Sequence, residues 1–338
     1  MKNKQIIFTA PGKAELLEND ITAPGPGEVL VETVFSTISP GTERANLLGD
    51  PNVSAARKAT GKPASFPRKL GYSSSAIVRE VGEGVTRVKP GDRVAVSWGK
   101  HSRFQLRPEK DIHPLPEGIS MRDAALGLIA TFPLAAIRKC RLEMGESAIV
   151  MGQGLLGQLA VQLLRAAGAV PVIAVDPIPE KREMALTLGA DYALDPFAED
   201  FVETVRSLTG GGVKVAIEVT GNGKALDQVL DCMARFGRVA LLGCTRDSNF
   251  TIDYYRKVHY PGITMVGAHT MARPDHESSA GWWTTADDMQ AIFALAAGGR
   301  IRLEGTVEET YSPTEATAVY ARLAAEKSFP VVQFDWGL

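Results

Sequence analysis

Three glycines at fixed spacing mark the chemistry of this chain. The run Gly152-Gln153-Gly154-Leu155-Leu156-Gly157 follows a short apolar stretch from Ala148 to Met151. It opens an apolar pattern of helical period that reaches Ala167. A second apolar stretch, Val170 to Val175, then ends on the carboxylate of Asp176. Strand, glycine turn, helix, strand and acid in this order form a site for a dinucleotide. Gly152 permits the tight turn, Gly154 leaves room for a pyrophosphate, and Gly157 lets the helix lie close on the strand. The N–H groups and dipole at the helix start face the anion. Asp176 falls about 20 residues beyond the turn, where its carboxylate accepts hydrogen bonds from ribose hydroxyls and repels a 2′-phosphate. NAD(H) is therefore favoured over NADP(H). Lys181 and Arg182 follow closely and could serve a 2′-phosphate or form a solvated helix face.

The elements that must hold this turn are legible on both sides of it. Before it lie short β-type runs, among them Val29 to Phe35, Ala76 to Val81 and Arg93 to Val96, separated by Gly- and Pro-rich turns. Such a series predicts a small barrel-like β domain, with Ile6 to Phe8 as a first strand. A helix is expected from about Ser120 to Arg141. Beyond the turn, apolar strands at Val213 to Val219, Gly237 to Gly243 and Ile263 to Ala268 alternate with helical patterns at Lys224 to Ala234 and Thr285 to Ala297. Alternation of this kind implies a doubly wound parallel sheet in an α/β fold. The tail carries an extended piece after Thr306, a helix at Pro313 to Lys327 and a strand at Pro330 to Phe334, and is expected to return to the β domain. The domains are read as 1–119 with 300–338, and 120–299.

Composition narrows the class. The 338 residues carry a net charge of −2, with 45% hydrophobic and 22% charged residues. That balance gives no electrostatic case for nucleic acid, and no apolar run approaches the ~20 residues of a membrane span. Cys140, Cys232 and Cys244 form no CxxC pair, so neither a disulfide framework nor a cysteine zinc cluster is expected. A cytoplasmic enzyme with a small-molecule substrate is the simplest placement.

The whole chain resembles the medium-chain dehydrogenase/reductases, in which a GroES-like β-barrel catalytic domain is interrupted by a Rossmann domain. Besides the glycine turn, the resemblance rests on Pro26-Gly-Glu-Val-Leu-Val31, Glu80-Val-Gly-Glu-Gly-Val85, Val88-Lys-Pro-Gly-Asp-Arg-Val94 and Leu188-Gly-Ala-Asp191. It implies a homodimer or homotetramer. In the family's zinc enzymes, a Cys-Gly-(Ser/Thr)-Asp stretch, a Gly-His-Glu stretch and a later cysteine or acid hold the catalytic metal. Here the first reads Pro40-Gly41-Thr42-Glu43, the second Gly71-Tyr72-Ser73, and the third position falls near Ile129. These residues do not supply the nitrogen, sulfur and carboxylate donors of a zinc site. The four-cysteine structural lobe is missing between Ser97 and Gln105. No zinc is expected. The Ser-Pro-Gly-Thr-Glu run with the later Gly-Tyr is similar to a zinc-lacking branch that includes the bacteriochlorophyllide a dehydrogenase type.

Without a metal, hydrogen-bond donors must polarise the substrate carbonyl and handle its proton. Thr42 matches the family's proton-relay position, the plain alternative being a turn hydroxyl. Tyr72 offers a phenol as acid or orienting group, or else fills the space the zinc would take. Glu43 is expected to hold Thr42 or an arginine in place. His101, within Trp98-Gly-Lys-His-Ser102, is a candidate proton shuttle or a surface residue; Lys100 is a further candidate. The resemblance places Thr220-Gly221 and Gly243-Cys244 at strand ends beside the cofactor, and His269 near the nicotinamide. Cys244 has no visible activating base. The pair Trp282-Trp283 caps a cleft, stacks on a sugar or packs against another subunit.

Three functions compete at this point. The first is zinc-independent, NAD(H)-linked oxidation of a secondary alcohol such as a polyol or sugar derivative. The second is NAD(P)H-dependent reduction of a quinone or enoyl C=C bond. The third is an NAD-binding sensor without catalysis.

Overall fold

Local sequence builds the first unit out of paired strands. The computed structural model describes residues 1–53 and 64–338. Strands β1 (Lys2–Ala10) and β2 (Lys13–Asp20) form an antiparallel hairpin whose turn uses Gly12 at φ 74. Strand β3 (Glu28–Thr37) runs into helix α1 (Pro40–Leu48), and β4 (Ser73–Val81), β5 (Arg93–Ser97), β6 (Phe104–Pro108) and β7 (Ile112–Pro114) follow. Val29, Val31, Ala76, Val78, Val94 and Val96 alternate with outward residues and share one buried core.

The single helix expected at 120–141 is two helices, α2 (Met121–Ala124) and α3 (Gly127–Lys139). Ser120 caps α2 by accepting from the Asp123 N–H.

The second unit follows the parallel pattern. Its elements are β8 (Ala148–Met151), α4 (Leu155–Ala166), β9 (Val172–Val175), α5 (Pro179–Thr187), β10 (Tyr192–Leu194), α6 (Phe201–Leu208), β11 (Val213–Glu218), α7 (Gly223–Asp231), β12 (Met233–Leu241) and β13 (Thr264–Gly267); α8 (Thr285–Ala297) follows, and from Met289 onward it groups with the first unit. The six strands are all parallel in the order β10-β9-β8-β11-β12-β13. That order reverses direction at β8 and β11, which fixes where a ligand sits, beyond the carboxyl ends of those strands. Strands β8 and β9 are buried at every residue, as parallel strands covered on both faces must be. The helix expected to reach Ala234 stops at Asp231, because Met233 already pairs with Val213 at the start of β12.

The tail returns to the first sheet. Strand β14 (Glu309–Tyr311) is followed by a one-turn helix at Pro313–Glu315, helix α9 (Ala316–Ala325) and strand β15 (Val332–Asp335). Strand β15 pairs antiparallel with β3, giving a sheet ordered β14-β15-β3-β4-β5-β7, with β6 also on β3. The tail's Tyr320 and Phe334 share a core with Ile6, Phe8 and Ile38. By contacts, Met1–Ile129, Met289–Ala297 and Leu303–Leu338 make one unit, and Ala130–Asp288 with Gly298–Arg302 the other. The divisions thus fall inside α3 and α8 rather than at 119 and 299. Among the described residues no helix is long and apolar enough to cross a membrane.

Candidate active site

The glycine turn has the geometry its spacing requires. Gly152 ends β8 at φ +97, a left-handed conformation that glycine adopts freely. A Cβ on Gly157 would stand 1.9 Å from the Gly152 carbonyl oxygen, so only glycine lets α4 start so close to the turn. A Cβ on Gly154 would meet nothing within 4 Å, and Gly154 caps α4 without a side-chain acceptor. The first-turn N–H groups of α4 therefore face open space, the cradle an anion fills. Gln153 is buried, its amide donating to the Val150 carbonyl at 3.1 Å. Leu155 is buried under the turn, and Leu156 is half-buried.

Asp176 closes the turn as well as facing it. Its Oδ2 accepts from the Gln153 N–H at 2.8 Å and its Oδ1 from the Ile178 N–H at 2.9 Å. Each oxygen keeps a lone pair for a ribose hydroxyl. Arg182 donates through one guanidinium nitrogen, Nη1, to the carbonyls of Asp176 at 2.8 Å and Pro177 at 3.0 Å. Lys181 is half-buried in the first turn of α5.

Two further strand ends meet beside the turn. A Cβ on Gly243 would stand 2.2 Å from the Gly221 nitrogen, so the loops after β11 and β12 touch through their glycines. Buried Glu218 organises the first of these loops, accepting from the N–H groups of Thr220 at 2.8 Å and Gly221 at 3.1 Å and from the Thr220 hydroxyl. Burial raises the pKa of Glu218 against these hydrogen bonds. Cys244 is exposed after β12, and His269 is exposed after β13 with its Nδ1 accepting from the Met271 N–H at 3.1 Å.

The first unit brings its candidate residues together around α1. Pro40 opens the helix, and its fixed φ suits the first helical position. Thr42 thus lies in a helical turn, not the loop turn considered for it, and its carbonyl accepts from Asn46 Nδ2 at 2.8 Å. Glu43 is fully buried. Its Oε1 accepts from the Ser39 N–H at 2.9 Å and its Oε2 from the Tyr320 hydroxyl at 2.5 Å. His101 Nε2 lies 3.1 Å from the same Oε2, while its Nδ1 meets Ser36 Oγ at 2.8 Å. Ser36 Oγ also accepts from Trp336 Nε1 at 2.9 Å. His101 is 1% exposed, so it is neither a surface residue nor open to a substrate in this structure. Burial, with Glu43 beside it, pushes the Tyr320 phenol well above its ordinary pKa.

The open part of this cluster is a pair of hydroxyls. Gly71 takes φ +93, and a Cβ there would stand 2.5 Å from the His101 ring, so a glycine must precede Tyr72. Tyr72 is half-buried and its hydroxyl donates to Ser39 Oγ. The ring of Trp98 lies 6.1 Å from that of Tyr72, and Trp98 holds φ 59, unusual for a bulky residue. Ser39 belongs to the motif that drew attention to Thr42 and Glu43, but no spacing rule pairs a serine with a tyrosine so far along the chain. Tyr320 and Ser36 were likewise invisible until β15 and α9 folded back on β3. Lys100 is exposed. Of the tryptophan pair, Trp283 lies under Arg138, whose guanidinium carbon is 3.6 Å from the ring centroid, and Trp282 lies near Lys139 at 4.8 Å.

Fold and site together define a dehydrogenase of the alcohol type, and comparison with known proteins agrees. Residues 25–132 match the alcohol dehydrogenase GroES-like domain, and residues 156–283 match the zinc-binding dehydrogenase family. An L-threonine 3-dehydrogenase of Thermococcus kodakarensis is 30% identical, covering 92% of this chain and 91% of its own. A D-guloside 3-dehydrogenase of Escherichia coli is 26% identical over 90% of this chain and 91% of its own. Among solved structures, benzyl alcohol dehydrogenase from Acinetobacter calcoaceticus matches with a TM-score of 0.85 at 19% identity, covering 99% of both chains. The chain belongs to the medium-chain dehydrogenase/reductases and is an alcohol-dehydrogenase-like oxidoreductase.

The family matched over residues 156–283 is named for binding zinc. At the positions that the resemblance aligns with the family's metal ligands, Pro40 has no donor atom, Ile129 is an apolar side chain 1% exposed, and the Tyr72 hydroxyl is engaged with Ser39. Zinc takes thiolate, imidazole or carboxylate ligands. These residues do not fit it. Among the described residues no cluster of three or more histidines, cysteines or acids could hold a metal ion.

Proposed function

We propose that this chain transfers a hydride between NAD(H) and a secondary alcohol or its ketone without zinc, with polyols and sugar derivatives as the substrate class. The observation that carries the reading is an intact glycine turn in a chain where Tyr72, at a position the resemblance aligns with a zinc ligand, pairs its hydroxyl with Ser39. The threonine and guloside 3-dehydrogenases among its relatives act, by their names, on hydroxyl-bearing carbons, which supports the substrate class.

Oxidising a secondary alcohol removes the carbinol hydrogen with its electron pair and the hydroxyl hydrogen as a proton. Bound NAD supplies the acceptor for the electron pair. The first-turn N–H groups of α4 would hold its pyrophosphate and Asp176 its adenosine ribose. Thr220, Gly243, Cys244 and His269 lie at strand ends where such a ligand is held. The proton is this chain's task. As the substrate O–H bond breaks, its proton passes to the Tyr72 oxygen while the phenol's own proton moves to Ser39 Oγ and the half-buried serine releases its proton to solvent; ketone reduction runs the same relay in reverse. Thr42 serves as a second hydroxyl at the same helix start.

A screen of secondary alcohols, sugars and enones with NAD(H) and NADP(H), followed by nicotinamide absorbance, tests the reading. NAD-linked turnover of secondary alcohols is expected. Activity confined to enones with NADPH would replace it with C=C reduction, and tight NAD binding without any turnover would make the chain a sensor.

A further inference from the structure

One side of the first unit contains a cavity that the proposed reaction does not use. Helix α8 offers it Gln290, Phe293, Ala294 and Ala297, which share one helical face at spacings of three, four and seven residues. Phe293 is its floor, set so close to α3 that a Cβ on Gly127 would stand 2.7 Å from the ring. The opposite wall is the segment leaving β7, where Pro114, Leu115 and Pro116 present apolar rings and a branched chain. Small alanines face prolines that cannot reach across, so the chain leaves a space of about 630 Å³ unfilled. That volume lies in the range of small-molecule sites, roughly 300–1,000 Å³.

The charge at this cavity has one sign. Arg87 lines it, and among the described residues no carboxylate lines it and no side chain hydrogen-bonds or pairs with the Arg87 guanidinium. His113 lies in the same wall, 4% exposed, with its Nε2 3.0 Å from Ser97 Oγ. Burial and the Arg87 charge push its pKa down to about 4, so the imidazole is neutral near pH 7 and adds no second charge. An apolar space with a lone guanidinium at its wall matches a ligand with an apolar body and one carboxylate, which a guanidinium grips through two parallel hydrogen bonds.

We propose that this cavity is a binding site for a small amphipathic monocarboxylate, seated with its apolar body between α8 and Leu115 and its carboxylate on Arg87. None of the residues that line it belongs to the nucleotide turn or is Tyr72 or Ser39, and the proposal does not depend on the reaction assigned to them.

Calorimetric titration of the full chain with octanoate and with 1-octanol tests it. Octanoate should bind saturably with one site per chain, and the alcohol about tenfold more weakly or worse. Arg87→Gln should weaken octanoate by about tenfold and leave the alcohol unchanged. Ala294→Phe, which fills the space from an exposed helix position, should abolish both; Ala297→Leu provides a milder filling variant should the first unfold the chain. NAD-linked activity should survive all three substitutions. Absence of saturable octanoate binding, binding equal to that of the alcohol, or binding untouched by Arg87→Gln and both filling variants would overturn the proposal. Failure of the alcohol screen would leave these outcomes readable, since none of them requires turnover.

Discussion

At the scale of single residues, the account rests on two oxygens and one carboxylate. The Tyr72 phenol is the only one of the four catalytic candidates that is both partly open and hydrogen-bonded to another half-buried hydroxyl, that of Ser39. Positioned proton transfer typically contributes 10²–10⁴-fold, so Tyr72→Phe should lower kcat by about 100-fold or more while leaving the Kd for NAD unchanged. An unaltered kcat would remove Tyr72 from the mechanism. In the proposed function Asp176 carries the preference for NAD. Asp176→Ser removes the charge that repels a 2′-phosphate and an acceptor for the ribose hydroxyls. The ratio of NADP to NAD affinity should then rise by about tenfold or more. The same change leaves the Gln153 and Ile178 N–H groups without their carboxylate, at a cost of about 1–3 kcal/mol in unfolding free energy. A constant affinity ratio would show that Asp176 is a strut of the turn and no reader of the ribose.

At the scale of elements, what could be read from sequence was whatever a local pattern dictates. The turn at Gly152 to Gly157, the apolar strands β8 and β9 and helix α8 follow from periodicity and glycine placement, and the structure has them where the pattern put them. Helix α1 was not read, because its start depends on Glu43 reaching back to the Ser39 N–H while Tyr320 and His101 occupy the rest of that carboxylate. Those partners come from α9 and from the loop after β5, and no local window contains them. His101 illustrates the consequence: among polar and aromatic neighbours in sequence it reads as a loop residue, yet three strands bury it. Strand β7 carries a prediction of its own. His113, buried there, has a folded pKa of about 4 against an ordinary 6.5. Above pH 6.5 neither the folded nor the unfolded state binds the proton, and stability is complete. As pH falls from 6.5 to about 4 only the unfolded chain takes it up, so stability declines by about 3 kcal/mol in total. Denaturant unfolding of the wild type and His113→Gln across this window should show the loss in the former and not from this source in the latter.

At the scale of the whole molecule, the chain keeps the family's GroES-like and dehydrogenase domains, and the proposal is that it works without the family's metal. The parallel sheet has the strand order and glycine approaches of a dinucleotide fold, including that of Gly157 to Gly152 and of Gly221 to Gly243. In the β unit Pro40 opens α1 and Tyr72 immediately precedes β4, the two places that the resemblance aligns with zinc ligands. The Tyr72 hydroxyl, closing on Ser39 Oγ beside the start of α1, forms a hydrogen-bonding device, and buried Glu43 holds the serine backbone in place. The central claim is that this device works without a metal. The most direct measurement is NAD-linked turnover of a secondary alcohol by protein dialysed against a strong zinc chelator, with zinc quantified in the same sample. Full turnover at a zinc content far below one ion per chain is the expected result. Turnover that vanishes on dialysis and returns with added zinc would contradict the account.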